Sequence, residues 1–208
     1  MTELAFPPNE LRYRPGDARG HVESFFIKAN SPGGNRAIWI KHTVLVPKGR
    51  PEDAVAEVWA VAFVRGDRAF PIAAKETVPL SRARFRSEPF RAEHEAATME
   101  RTRARGAVES GEHSLGWSLE MEPRGGVHAP FPLARMYTAP FPRTKVLTPA
   151  PDTQFFGSFE VDGQRWAIDG WRGAQGHNWG PAHTAPYAWT HCNAWENEED
   201  GFLEAMAA

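Results

Sequence analysis

The chain has 208 residues and a formal net charge of −2, so it lacks the basic balance of proteins that bind nucleic acid or acidic membrane surfaces. Its single cysteine excludes an intrachain disulfide framework, and no apolar run approaches the roughly 18 residues that span a bilayer. The N-terminus has no basic-then-apolar signal sequence, and we therefore expect the protein to be cytoplasmic. From the chain length we expect a single domain over residues 1–208.

Alternation of apolar and polar residues with a period of two dominates the chain, which predicts strands rather than helices. The predicted strands cover residues 22–29, 36–46, 55–64, 69–73, 98–109, 113–121, 155–161, 164–171, 187–195 and 201–208. About ten short strands with turn signals between them favour an antiparallel all-β barrel or sandwich over βαβ units.

Two segments depart from simple alternation. The strand 55–64 is apolar on both faces, which predicts that both faces are covered, as in a barrel wall with something packed outside it. Residues 123–151 are rich in proline and glycine, which predicts a long irregular connection that could serve as a lid.

The segment 187–195 carries an unusual set of side chains. In a strand, one face would present Tyr187, Trp189, His191, Asn193 and Trp195, while the other face would hold only small residues. Three aromatic rings with an imidazole and an amide are typical of a ligand-pocket wall. The chain has 8 tryptophans, more than a core of this size requires, which favours the same interpretation. The alternative is a core face whose polar tips are satisfied by neighbouring loops.

The segment that precedes it contains a candidate acid. Gly176 and Gly180 bracket His177, as happens where a backbone turns sharply or another group approaches closely. A histidine can act as general acid or base near neutral pH, and the alternative is a histidine that is hydrogen-bonded within a turn. The neighbouring side chains that we assign to the same ligand site are Trp171, Gln175, Asn178 and Trp179.

Other groups near this segment have simpler interpretations. His177, His183, His191 and Cys192 match no compact zinc-ligand spacing, and we expect neither a metal nor a cofactor. Glu23 is either a pocket carboxylate or an ordinary strand glutamate. Asp169 shares the predicted strand face of Arg165 and Trp171, which favours a solvated ion pair over a pocket acid.

The run from Gln175 to Gly180, followed by Tyr187-Ala188-Trp189, resembles the lipocalin-like superfamily of carotenoid hydratases (hydroxyneurosporene synthases), AttH proteins and tocopherol cyclases. The run Glu23-Ser24-Phe25-Phe26 and the strand from Arg36 to Trp39 are similar as well. The resemblance implies an antiparallel lipocalin-like (calycin) β-barrel. Members usually have two such barrels, so this chain looks like the first, with residues 201–206 reading as the start of a second.

The resemblance also implies a chemistry. In the carotenoid hydratases, a histidine and a tryptophan of the corresponding motif are implicated in acid-catalysed addition of water to an alkene, which here implies His177 and Trp179 as catalytic residues. Protonating an alkene needs a positioned acid and electron-rich rings around the cation. A tyrosine and an aspartate further along that family have no match in this chain.

Three functions therefore remain open from the sequence. The first is a hydratase or cyclase that acts on an isoprenoid or polyketide-like substrate in an aromatic barrel pocket. The second is a non-catalytic carrier of a hydrophobic small molecule. The third is a structural half that pairs with a second barrel or forms a homo-oligomer.

Overall fold

The computed structural model describes residues 4–66, 71–183, 187–196 and 201–207, and these residues form thirteen β-strands and three short 3-10 turns. The strands are β1 His21–Asn30, β2 Arg36–Val46, β3 Val55–Val64, β4 Ile72–Pro79, β5 Arg84–Ser87, β6 Phe90–His94, β7 Ala97–Glu100, β8 Arg103–Ser110, β9 His113–Arg124, β10 Lys145–Val161, β11 Gln164–Gly180, β12 Ala188–Cys192 and β13 Leu203–Ala207. The 3-10 turns are Pro51–Asp53, Leu80–Arg82 and Ala134–Tyr137.

Eleven of the described strands form one antiparallel sheet in the order β4-β3-β2-β1-β11-β10-β9-β8-β7-β6-β5. Every strand pairs with its neighbour in the chain except β4 with β5, and the first strand pairs with the eleventh. This is the strand order of an up-and-down barrel that is open between β4 and β5. Because β4 also contacts β8 and β9, the sheet curls into a half-barrel, and the predicted lipocalin-like all-β architecture is confirmed.

The inner face of the curled sheet holds the hydrophobic core. Its largest cluster includes three of the tryptophans, Trp117, Trp166 and Trp171, packed with Phe155 and Phe159. Burying one such ring stabilises the fold by about 1.5–3 kcal/mol. These indoles therefore fill the barrel interior, in contrast to the expectation that the tryptophans line a cavity.

Strand β3 shows how the two faces differ. Ala56, Val58 and Ala60 are buried on its inner side, whereas Trp59 is half-buried on the outer side and Phe63 is 38 % exposed. The prediction that both faces of 55–64 are covered is therefore wrong. Lys41 and Lys75 each lie over the Trp59 ring, at 5.1 and 4.7 Å from its centroid, and shield part of the outer face with their aliphatic stems.

The predicted connection 123–151 is shorter in the structure, because β9 continues to Arg124 and β10 begins at Lys145. Strand β10 accommodates Pro149 and Pro151 because its pairing with β11 is shifted on either side of Ala150, and such irregularities free the positions where proline cannot donate. Residues 125–144 remain as the irregular connection, and they contain the 3-10 turn Ala134–Tyr137.

Strand β11 changes its inward-facing parity near Gly170. Trp166 and Ile168 are buried before this glycine and Trp171 after it, while Asp169 is exposed. Gly170 has a φ of +63°, and the register between β10 and β11 shifts beside Gly157. The prediction that Asp169 and Trp171 share a face is therefore wrong.

Some of the other predicted strands have the observed bounds and some do not. The strands 36–46 and 55–64 have the predicted bounds. The predicted strand 98–109 is interrupted at residues 101–102, and strands β5 and β6 were not predicted. Of the predicted strand 69–73, residues 69–70 lie outside the described residues, and β4 runs on to Pro79.

Candidate functional site

His177 lies within a strand rather than in a turn. It belongs to β11, pairs with Phe25 of β1, and faces the barrel interior. Its neighbour Gly176 faces the outer side, where a Cβ atom would collide with the ring of Phe26. Of the two reasons offered by the sequence for a glycine beside His177, the close approach of another group is the one that the structure shows.

A fully buried hydrogen-bonded pair joins His177 to Glu23. The Nε2 atom of His177 lies 2.8 Å from Oε1 of Glu23, and Nδ1 lies 2.6 Å from the carbonyl oxygen of Pro8. Both side chains have no solvent exposure. Both ring nitrogens therefore face oxygen atoms.

Glu23 is held as a carboxylate by the donors around it. Its oxygens accept hydrogen bonds from the backbone N–H groups of Arg12 and Tyr13 and from Nε2 of His21 at 2.7 Å. Burial alone would raise the pKa of Glu23, but the hydrogen bonds from His177 and His21 outweigh it and lower the pKa to about 2. The site therefore carries a stable negative charge beside His177.

Aromatic rings surround the imidazole of His177. Phe25 stacks on it with ring centroids 4.3 Å apart, and Trp179 lies at 4.7 Å. Phe6 packs edge-on against Trp179, and the Arg12 guanidinium lies over the Phe6 ring at 4.0 Å. The N-terminal segment that includes these two residues thus closes the end of the half-barrel over His177.

The remaining inward residues of the predicted site have structural partners. Trp171 belongs to the core, and Gln175 is buried with its Nε2 donating to the backbone oxygen of Arg101 and close to Sδ of Met121. Trp179 packs in a small cluster with Tyr137 and Leu147. Asn178 has the opposite parity from His177, and its Oδ1 has no hydrogen-bond partner among the described residues.

The predicted single wall 187–195 is not formed. Strand β12 covers only Ala188–Cys192, so Tyr187 and Trp195 lie beyond its ends and are 60 % and 45 % exposed. The predicted alternation holds in the centre, where Trp189, His191 and Asn193 are the more buried residues, and it is lost only at the two ends, beyond the short β12–β13 pairing. A role for these residues in ligand binding stays a prediction.

Strand β12 packs on the outer face of the large sheet, opposite His177. The Trp189 ring meets the Phe26 ring edge-on at 5.9 Å, and the Lys28 ammonium donates to the carbonyl of His191 at 3.2 Å. Phe26 and Lys28 point away from the face that carries Phe25 and His177. The predicted site residues are thus divided between the two faces of the sheet.

Asn193 ties the end of β12 to the large sheet. Its buried Nδ2 donates to the carbonyls of Gly173 and Pro151 at 2.6 and 3.2 Å and to Oδ1 of Asp152 at 3.2 Å. Arg172 pairs with the same Asp152 oxygen at 2.9 Å. These bonds position Asp152 and the strand end beside it.

A cleft of about 950 Å³ opens next to this cluster. Segment 124–134 forms one side of it, and Pro151, Asp152 and Phe202 form the other. We call it the 124–134 cleft. Asp152 and Phe202 were not among the predicted site residues, and in this region the sequence pattern predicted only that 123–151 could serve as a lid.

His191 borders the cleft through Phe202, with which it stacks at a centroid distance of 6.0 Å. Its side chain is buried, and within the described part of the chain neither ring nitrogen makes a hydrogen bond of normal geometry. Burial, followed by the positive charge of Lys28, lowers the pKa of His191 to about 4, while the nearby Pro151 carbonyl opposes this shift. The ring is neutral at pH 7.

No group of three or more histidine, cysteine, aspartate or glutamate side chains is arranged to hold a metal ion among the residues described above. His177 and His191, two of the zinc ligands considered from the sequence, lie on opposite faces of the sheet. In the described ranges we also find no helix with the length and apolar character needed to cross a membrane.

Comparison with known proteins gave likenesses to solved structures only. No protein-family model matches the chain, and a search of curated proteins found no match. A crystal structure of CghA with Sch210972 matches with a TM-score of 0.47 and 11% identity over 92% of this chain. The chain spans 60% of the length of that protein. By its own strand order, the chain is a lipocalin-like all-β protein.

Proposed function

We propose that this protein binds a hydrophobic small molecule in the 124–134 cleft. The observation that carries the proposal is the cleft itself: its volume of about 950 Å³ is in the range of small-molecule sites, and apolar walls adjoin a few polar groups. Phe131, Leu133 and Phe202 contribute apolar surface, while Arg124, His128 and Asp152 contribute polar groups. Leu133 is 47 % exposed, so a ligand would remove apolar surface from water.

The lipocalin-like fold supports the same proposal at a coarser level. A curled antiparallel sheet provides a rigid wall, and strand β10 of that wall supplies Pro151 and Asp152 to the cleft. We further infer from the motif at residues 175–180 that the chain is related to the carotenoid hydratase, AttH and tocopherol cyclase superfamily. That relation favours isoprenoid or polyketide-like molecules as ligands.

Titration with farnesol, followed by quenching of tryptophan fluorescence and by calorimetry, tests the proposal. We expect saturable binding that Phe202→Ser weakens by about tenfold or more, because an apolar wall of the cleft is lost. Phe63→Ser is the matched control, since Phe63 lies on the outer face of β3 and outside the cleft. Absence of binding, or equal losses in both variants, would contradict the proposal.

A second candidate function is acid catalysis of alkene hydration or cyclisation by His177, with Trp179 beside it. The supporting observation is the buried pairing of His177 with Glu23, flanked by the rings of Phe25 and Trp179, which could stabilise a carbocation. Substrate access to His177 requires the segment from Phe6 to Tyr13 to move, since Pro8 covers Nδ1.

Product analysis after incubation with linear polyenes tests this second function. We expect hydrated or cyclised product from the native protein and none from His177→Gln. Trp166→Phe serves as a control, because Trp166 is buried in the core away from the His177 rings. Equal product from the native protein and His177→Gln would exclude His177 as the acid.

A further inference from the structure

We propose that residues 4–8 occupy the binding place of a ligand beside His177, so that they inhibit binding until the ligand displaces them. We call these residues the N-terminal flap. The inference rests on the second proposed function, which places a site at His177, but it concerns access to that ring and requires no reaction there. The ligand class that the flap contacts imply has an aromatic or polyene body and an oxygen atom that accepts a hydrogen bond.

The flap places an apolar ring against the aromatic cluster beside His177. Phe6 packs edge-on against Trp179 and Tyr137, with ring centroids 6.1 and 6.5 Å apart. Leu4 packs against the same cluster, and both of these flap residues are only half-buried. An unsaturated or aromatic group of a ligand makes the same kind of contact with these rings when it takes the place of Phe6.

The flap also places a hydrogen-bond acceptor at His177. The carbonyl oxygen of Pro8 lies 2.6 Å from Nδ1 of His177. Because a carbonyl oxygen can only accept, Nδ1 donates in this contact. The hydroxyl or carbonyl oxygen of a ligand accepts the same hydrogen bond in the place of Pro8, so the buried nitrogen keeps a partner after the flap has left. The flap therefore supplies both of the parts that the ligand class combines.

The residues that follow the flap are anchored more firmly than the flap itself. Tyr13 is 5 % exposed and packs in a cluster with side chains of β2. The backbone N–H groups of Arg12 and Tyr13 donate to the carboxylate of Glu23 at 2.9 and 3.1 Å. Within the described ranges we find a single hydrogen bond that ties the flap to the sheet, the one that the Pro8 carbonyl accepts. The flap can therefore leave while the anchored residues stay in place.

The position of Arg12 favours a displacing group that carries π electrons. Its guanidinium lies 4.0 Å from the centroid of the Phe6 ring and 5.8 Å from that of Trp179. Because Arg12 belongs to the anchored residues, it remains over this place when the flap leaves. An aromatic ring or a polyene there keeps the cation–π contact, whereas a saturated chain loses it. Farnesol and dodecanol, which share a hydroxyl group and the length of the main chain, differ in this property.

Carbethoxylation of histidines by diethyl pyrocarbonate, followed by mass spectrometry of peptides, measures access to each ring in the intact protein. We expect His177 to react at least about tenfold faster in Phe6→Ser than in the native protein, because the flap loses its ring contact with Trp179. Leu4→Ser is a second flap variant and should raise the rate by about threefold, since less apolar surface is lost. Phe63→Ser is the matched control: it removes a partly exposed phenylalanine from the outer face of β3 and should leave the rate unchanged.

His42 is an internal reporter of unfolding, because its side chain is 1 % exposed on the inner face of β2. Its reactivity should be equal in the native protein and in Phe6→Ser. Farnesol should suppress the reaction of His177 in Phe6→Ser at a concentration about fivefold or more below the one that the native protein requires, because the competing flap is weakened. Dodecanol should require a severalfold higher concentration than farnesol, because it lacks π electrons.

An unchanged rate at His177 in both flap variants overturns the proposal. Equal acceleration of His177 and His42 overturns it in favour of global unfolding. Faster reaction that farnesol does not suppress, or suppresses at equal concentrations in both proteins, overturns the assignment of the flap to the place of a ligand. Equal suppression by the two alcohols overturns the assigned ligand class. These rates are measured without turnover, so a protein that forms no hydrated or cyclised product contradicts the second proposed function and leaves the flap inference intact.

Discussion

Glu23 and His177 are 154 positions apart in the chain, and their side chains, neither of which is exposed to solvent, form a hydrogen bond 2.8 Å long. The pairing of β1 with β11 brings them together, since Phe25 lies opposite His177 and Glu23 opposite Trp179. The pair also holds the N-terminal segment, because Pro8 accepts from His177 while Arg12 and Tyr13 donate to Glu23. The Glu23–His177 contact therefore joins β1 to β11 and also holds the N-terminal segment over the end of the sheet.

Glu23→Gln should destabilise the fold by about 1–3 kcal/mol, because a buried amide cannot accept all the hydrogen bonds that the carboxylate accepts from His177, His21 and two backbone N–H groups. Urea unfolding followed by circular dichroism measures the difference. Asp53→Asn is the matched control: Asp53 pairs with Arg50 at the surface, where both side chains are at least half exposed, so its loss should cost about 1 kcal/mol or less. Equal losses in the two variants would show that the buried pair has no special weight.

The lowered pKa of Glu23 predicts that the fold loses stability at acid pH. The pKa of Glu23 is lowered from 4.5 to about 2 in the fold, so its contribution is complete above pH 4.5 and is lost as the pH falls toward 2. The free energy of unfolding should therefore fall more steeply between pH 4.5 and 2 in the native protein than in Glu23→Gln, by up to about 1.4 kcal/mol per pH unit. Parallel pH curves for the two proteins would rule out this linkage.

Local alternation was sufficient to predict part of the fold. Strands β2 and β3 have the predicted bounds because their inward residues alternate without interruption, as in Ala56, Val58 and Ala60. The reversal of parity in β11 could not be predicted, because it depends on how Gly157 and Gly170 bend two paired strands, with φ values of +117° and +63°. Periodicity carries no signal for such an irregularity.

The candidate sites were harder to predict than the strands. The motif at residues 175–180 pointed to His177, but its partner Glu23 was undecided because the contact depends on the pairing of distant strands. Asp152 had no signal at all, since it follows Pro151 in a segment whose composition resembles a loop. The hydrogen bond from Asn193 to Asp152 arises only from the packing of the β12–β13 sheet on the outer face.

His42 provides a second pH-dependent prediction. It is 1 % exposed on the inner face of β2, and its Nε2 has no hydrogen-bond partner in the described structure. Burial, reinforced by the nearby His94, lowers its pKa from 6.5 to about 3. The unfolded chain therefore takes up a proton below pH 6.5 that the folded chain rejects down to about pH 3, so stability falls as the pH drops through that window.

His42→Leu should remove this loss and leave the stability less dependent on pH between 6.5 and 3. At pH 5 the variant should be more stable than the native protein by about 1–3 kcal/mol, because a buried nitrogen without a partner is replaced by an apolar group. Chemical unfolding at several pH values gives the comparison, with His113→Leu on the exposed hairpin as control. A variant as pH-dependent as the native protein would contradict the assignment.

Gly176→Ala tests the close approach of the Phe26 ring to the β11 backbone on the outer face. A Cβ atom at this position would collide with the ring of Phe26, which is itself packed against Trp39 and Trp189 and has little room to move. We expect a loss of about 1–3 kcal/mol in the free energy of unfolding, as for other overpacked cores. Gly33→Ala is the matched control, since a Cβ there meets only one atom at 3.9 Å.

If Phe26→Leu is added to Gly176→Ala, the double variant should lose less than the sum of the single changes, because the smaller side chain relieves the collision. Additive losses would place the cost of Gly176→Ala in the backbone rather than in its contact with Phe26.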